Sequence, residues 1–132
     1  MAIIFPDIEP VIVAHLVDRL ADIDDPIATD VRVGTIKLPP GSEASKEVIV
    51  TASYGTTLQH MVREASAVIE VYADDYETAS ELALLVGAII TQIPHDPIKR
   101  AIVTVGPVRT TEEPPREKRT LSVDFTVKGT DF

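Results

Sequence analysis

The residues of this chain that could act as bases, metal ligands or nucleophiles are scattered. The histidines are His15, His60 and His95. No two have the i, i+4 spacing that lets one helix face offer two ring nitrogens to a metal. His15 stands beside Leu16 in an amphipathic stretch, His60 in a loop, and His95 after Pro94 in a turn. Each reads as a surface or boundary residue. No Gly-x-Ser-x-Gly turn is present to expose a serine nucleophile. Gly34, Gly41, Gly55, Gly87, Gly106 and Gly129 are too dispersed to form a phosphate loop or a dinucleotide turn. The acidic pairs Asp24-Asp25, Asp74-Asp75 and Glu112-Glu113 are sequence neighbours. Hydrolytic and metal sites need carboxylates that converge from separate elements. The first two pairs read as helix termini and the third as a solvated loop. Cysteine is absent, which excludes disulfides and thiolate metal sites. The expectation is a chain that is not an enzyme and holds no cofactor and no metal.

Composition narrows the remaining classes. With 132 residues the chain suits one domain, residues 1–132. Apolar residues are 45% but aromatics only 5%, with no Trp, so Val, Ile, Leu and Ala must build the core. So few rings also argue against a stacking platform for single-stranded nucleic acid. Twelve basic against 21 acidic residues leave a net charge of −9, which repels phosphate backbones. Lys99-Arg100 and the group Arg116, Lys118, Arg119 are local basic spots among acids. The first residues lack the basic and apolar regions of a signal peptide. No apolar run reaches the ~18 residues that span a bilayer.

Periodicity then supplies the elements. Ile8, Ile12, Leu16 and Leu20 recur every four residues in a helix over Pro6–Ala21, with Asp7 as N-cap and Pro10 in the first turn. Asp24-Asp25-Pro26 ends it. Strands are expected over Val31–Lys37, Glu47–Tyr54, Arg63–Ala73, Ala101–Arg109 and Arg119–Lys128. In the third, Ala65, Ala67, Ile69 and Val71 share a face; in the last, Leu121, Val123, Phe125 and Val127 do. Gly106-Pro107 marks a bulge or an edge position in the fourth. A second helix spans Asp74–Ile93, with Asp74 as cap, Glu77 reaching back to it, and Pro94 as the stop. Its core face is Ala79, Leu82, Ala83, Val86, Ile89, Ile90 and Ile93. Small Ala79, Ala83 and Gly87 let that helix lie close on a sheet.

The order α-β-β-β-α-β-β predicts an α+β two-layer sandwich. About five strands form a mixed, mostly antiparallel sheet, with both helices on one face. The other face, with Ser66, Glu70, Ser122, Asp124 and Thr126, is expected to stay polar. The open edges of such a sheet need pairing or protection, which a ring of subunits supplies. Three polar segments, Leu38–Lys46, Gly55–Met61 and Thr110–Lys118, exceed common hairpin length and read as docking loops. Leu58, His60 and Met61 in the second, and Glu112, Glu113, Arg116 and Lys118 in the third, are the candidate interface residues. Both charge signs in the third suit a contact that fixes register.

Taken together, these features resemble the tail terminators of long non-contractile-tailed bacteriophages, the lambda-type minor tail protein family. Phe5-Pro-Asp-Ile-Glu-Pro10 running into a short apolar helix resembles members from phages of actinobacteria. So does the strand Arg63–Ala73, which ends in Tyr72-Ala73 and leads at once into the Ala/Leu-rich helix Glu77–Ile90. A strand Leu121–Val127 after a Pro-containing loop completes the likeness, which covers nearly the whole chain. The resemblance implies a virion tail protein assembled in the bacterial cytoplasm, with no membrane partner. Its subunits would form a six-membered ring, from monomers in isolation, that caps the head-proximal end of the tail tube. Its partners would be copies of itself, the major tail tube protein and head-tail connector proteins, with DNA passing through the lumen unbound. Leu38–Lys46 departs from this pattern as a long Pro/Gly/Ser loop, which leaves open which loop faces the tube. Two alternatives stand beside this reading: another connector protein of the virion neck, and a cytosolic ligand-binding or regulatory domain.

Overall fold

The computed structural model describes residues 3–39, 41, 44–59, 62–93, 97–110 and 116–131. Two helices cover one face of a five-stranded mixed sheet, as the element order predicts. Helix α1 (Ile8–Asp22) is capped by Asp7, whose carboxylate accepts the Glu9 N–H at 3.1 Å. Ile8, Ile12, Leu16 and Leu20 are buried, each worth about 1.5–3 kcal/mol of apolar transfer. A 3-10 turn, Pro26–Ala28, follows with Asp25 as its cap. Asp30 then takes a left-handed backbone (φ 56°), a conformation Asp adopts more readily than most residues.

Strand β2 (Val31–Gly34) pairs in parallel with β3 (Lys46–Gln59). The rest of the sheet, β4 (Val62–Ala73), β5 (Ile98–Thr110) and β6 (Glu117–Lys128), is antiparallel, and the spatial order is β2-β3-β4-β6-β5. A ribbon of β1 (Ile3–Ile4) and β7 (Thr130–Asp131) stands apart from the sheet. Helix α2 (Tyr76–Ile90) packs on β4, β5 and β6, whereas α1 packs on β2, β3 and α2. The core lies between the layers. Ala65, Ala67, Ile69 and Val71 meet Leu121, Val123, Phe125 and Val127 from the neighbouring strand, and all are buried. The small-residue stripe of α2 does bring it close: a Cβ on Gly87 would sit 3.2 Å from Leu121 Cδ2.

Several boundaries depart from the sequence pattern. Gly55–Gln59, expected as loop, belongs to β3. Register slips at Tyr54/Thr57 and Thr57/Gln59 absorb the glycine, and β-branched threonines suit the extension. Strand β2 stops at Gly34, short of Lys37, and Lys46 and Glu117-Lys118 are strand rather than loop. The cap of α2 is Asp75, not Asp74. Its carboxylate accepts the Thr78 N–H at 2.8 Å and the Thr78 hydroxyl at 2.9 Å, so both bonds run to the cap side chain and Glu77 is not the reciprocal partner expected. Gly106 does mark a bulged edge strand. It has φ 96°, and any Cβ there would collide with the Thr120 carbonyl oxygen.

Candidate interaction surface

The face of the sheet turned away from the helices divides into an ionic end and an apolar margin. Alternation along β3 sends Val48 and Val50 into the core and Glu47 to the open face. Yet Glu47 is 0% exposed. Its carboxylate accepts from Arg32 at 2.6 Å, from Arg116 at 3.1 Å and from the Leu38 N–H at 3.3 Å. Tyr72 stands opposite Glu47 in register, and Lys37, Arg116 and Lys118 lie over its ring at 4.5, 5.2 and 5.6 Å. The Tyr72 hydroxyl donates to Glu70 at 3.2 Å, and Lys118 pairs with Glu70 at 2.7 Å. Burial pushes the Tyr72 phenol above its ordinary range, with Glu70 adding to the effect. The hydrogen bond to Glu70 holds the Lys118 ammonium above its ordinary range. Such a cluster is a fastener. Its charges hold one another across β3, β4 and β6.

The apolar margin was not expected. Ile102, Val105 and Val108 of β5 are 39%, 55% and 45% exposed, and Val68 of β4 is 43% exposed. Their register partners Asp124, Ser122 and Thr120 put the β5 residues on the open face. That face is therefore only partly polar. Val68 follows the plain alternation of β4, and Ile102 and Val108 share one phase of β5; Val105 joins them because the slips between Val103 and Val105, and between Val105 and Val108, offset it by one residue.

On the helix side of the same margin, Arg109 binds Glu117 through two 3.0 Å hydrogen bonds. Arg119 is 4% exposed and reaches Glu117, the Tyr76 carbonyl and the Ser80 hydroxyl. The hydrogen bond from Arg109, reinforced by Arg119, holds the Glu117 carboxyl below its usual range. Both guanidiniums lie over Tyr76, at 5.1 and 4.6 Å. Tyr76, Ser80, Leu84, Pro107, Arg109 and Arg119 line a shallow groove of about 300 Å³. Exposed Tyr beside Arg is the composition of contact hot spots.

The opposite margin is acidic. Asp24, Asp25, Asp30 and Lys46 border an open hollow of about 520 Å³. Between α1 and β2, Val17, Leu20, Ala21, Ala28, Asp30 and Val31 line a notch of about 230 Å³. Below it, the edge of β3 is covered in part: the Ala52 N–H donates to the Glu9 carboxylate at 2.8 Å. Among the described residues no group of three or more His, Asp or Glu side chains is placed to hold a metal, and no helix is long and apolar enough to cross a membrane.

The residues expected to form docking loops fare differently. Arg116 and Lys118 are ends of the ionic fastener, not free loop charges. Leu58 lies on the β3 backbone. His60, Met61, Glu112 and Glu113 fall outside the described residues. His15 lies within 3.0 Å of the Ile89 carbonyl, a bridge between the two helices. Glu47, Tyr72 and Arg119 were missed. Their only signal in sequence is a charged or amphipathic residue at the end of an otherwise apolar alternation.

No known family and no curated protein matches the chain. Among solved structures, a chain of the virion of a native gene transfer agent particle shares the fold, with a TM-score of 0.62. The two are 18% identical, and the match covers 86% of this chain and 92% of that one.

Proposed function

We propose that this chain is a structural protein of a phage-like virion, and specifically a tail terminator. The observation that carries the reading is a fold shared nearly end to end with a virion component. The sequence likeness to tail terminators narrows the role. On this reading the subunit acts by shape. A ring of copies sits on the last ring of the tail tube and covers its polymerising surface. It offers no equivalent surface to a further tube ring, so growth halts, and its far side receives the head connector. The acidic charge keeps the passing DNA from sticking. No step requires a reactive group.

Tube assembly in vitro tests the reading. Purified tube protein is seeded to elongate, and this protein is added partway. Elongation should stop at substoichiometric amounts, one ring per tube end. Continued growth with the protein in excess would overturn the proposal. The other reading with the same support, a neck connector, predicts capture of portal-bound adaptor proteins and no effect on the tube.

A further inference from the structure

The net charge of this protein lies in one layer. Residues 7–30 and 74–93 hold both helices, their caps and the 3-10 turn. They contain eleven carboxylates and one arginine, a net −10. The rest of the chain, the sheet and its connections, sums to +1. Two copies at −9 each therefore meet with least repulsion through their open sheet faces.

Register lays that face out in rows across β3, β4, β6 and β5. The middle row is Thr51, Val68, Ser122 and Val105. On one side of it run Ser53, Ser66, Asp124 and Ile102, and on the other Ile49, Glu70, Thr120 and Val108. The outermost rows are Glu64, Thr126 and Arg100 at one end and Glu47, Tyr72, Lys118 and Thr110 at the other. The exposed apolar residues read alike from either end: Ile102, Val105 and Val108 down β5, with Val68 level with Val105. Four strands about 4.8 Å apart, and the residues Glu64–Tyr72 at about 3.4 Å each, give a face of roughly 600 Å². Two such faces bury about 1,200 Å², the lower bound for a specific, stable interface.

We propose that two copies dock face to face through these open sheets, about a two-fold axis that crosses the strands along the middle row. Val105 then meets Val105, Val68 meets Val68, and Ile102 meets Val108. Asp124 comes over Thr120, one row from Lys118. Glu64 comes over Tyr72, where the Lys37 ammonium stands. Arg100 comes over Thr110, and Lys128 lies one row further out. Glu64 and Asp124 against Arg100 and Lys128 leave that end neutral. The ionic end is net +2, with Arg32, Lys37, Arg116 and Lys118 around Glu47 and Glu70. The apolar match therefore carries the contact, and charge only ceases to oppose it. A two-fold along the strands would instead set the β5 residues on Ile49, Thr51 and Ser53, two of them polar. The contact is isologous and ends at two copies. It uses no sheet edge and does not rest on the terminator reading. The free protein is then a dimer, not the isolated monomer that the tail-terminator likeness implies.

A residue on the axis faces its own copy, and this supplies the test. Val105→Lys and Val105→Asp change a 55% exposed site, with circular dichroism as the control for folding. Sedimentation velocity follows association of the full chain. The wild type should be dimeric at about 100 µM, and added salt should strengthen the dimer by screening repulsion between like-charged copies. Each variant alone sets like charges against each other and should associate at least about tenfold more weakly. An equimolar mixture of the two should recover as a heterodimer, Lys against Asp. Val68→Asp should weaken association as Val105→Asp does. Leu84→Asp, on the helical layer and 63% exposed, should leave it unchanged. A wild type that stays monomeric at millimolar concentration, axis variants that associate as the wild type does, a mixture that fails to recover, or dissociation by Leu84→Asp would overturn the proposal. Tube capping is not read in this assay, so its failure is separable from failure of the terminator reading.

Discussion

Removing the Glu47 carboxylate should be among the costliest single changes in this protein. Glu47→Ala deletes the partner of Arg116, whose side chain is 10% exposed, and of Arg32, whose side chain is 31% exposed. Arg32 turns to water and recovers hydration. Arg116 stays beneath its neighbours with its charge uncompensated, and the Leu38 N–H loses its acceptor. Stranding one member of a buried pair costs about 3–5 kcal/mol. A domain of this size holds a total of about 5–15 kcal/mol. With a urea slope of about 2 kcal/mol/M, the unfolding midpoint should fall by roughly 2 M. The pair Glu47→Met with Arg116→Met removes both charges and keeps the volume, so it should cost less than Glu47→Ala alone. Urea titration of the two variants is the assay. A loss below about 1 kcal/mol for Glu47→Ala, or a double variant worse than the single, would refute the claim that burial of an orphaned charge sets the cost.

Gly106→Ala should lose about 2 kcal/mol or more in the same titration, because an alanine at φ 96° is strained and its Cβ meets the Thr120 carbonyl. Gly87→Ala should be far milder, since its Cβ meets a side-chain methyl of Leu121 at 3.2 Å, not backbone, and alanine favours the helix. On the acid side, Glu117 and Asp75 have carboxyls held below their usual range. Their contribution is present above the ordinary carboxylate pKa and should fade as pH falls through the depressed folded value, a limb that Glu117→Gln flattens. On the alkaline side, Tyr72 and Lys118 are both raised above ordinary values of 10.0 and 10.5. Their contribution is full below those values and should be lost as pH rises past them. In an ultraviolet titration Tyr54 and Tyr72 should ionise later than a free phenol, Tyr54 because burial and Asp7 also push it up; a midpoint for both at the ordinary phenol value would contradict the described burial.

Much of the architecture was legible because two periodicities dominate the chain. The stripe Ile8, Ile12, Leu16, Leu20 and the alternation from Leu121 to Val127 each admit one burial pattern, and the structure shows it. The ends of elements were less legible. Capping depends on which of two adjacent aspartates takes extended backbone, and Asp74-Asp75 are chemically equal in sequence. The surface was least legible. Arg116 and Lys118 read as loop charges because nothing local says that Glu47 and Glu70, 69 and 48 positions earlier, stand beneath them. The place of Val105 in the apolar row on β5 depends on slips that shift its facing by one residue, and no pattern of residue types announces a slip. Lys99-Arg100 reads as basic from the sequence, but only the strand order sets it on the edge far from Asp24 and Asp30.

Tail length in particles made without this protein tests the central claim most directly. Electron microscopy of negatively stained tails from a strain that lacks it should show tubes of unregulated, excessive length with no heads attached. Tails of normal length joined to heads would contradict the account.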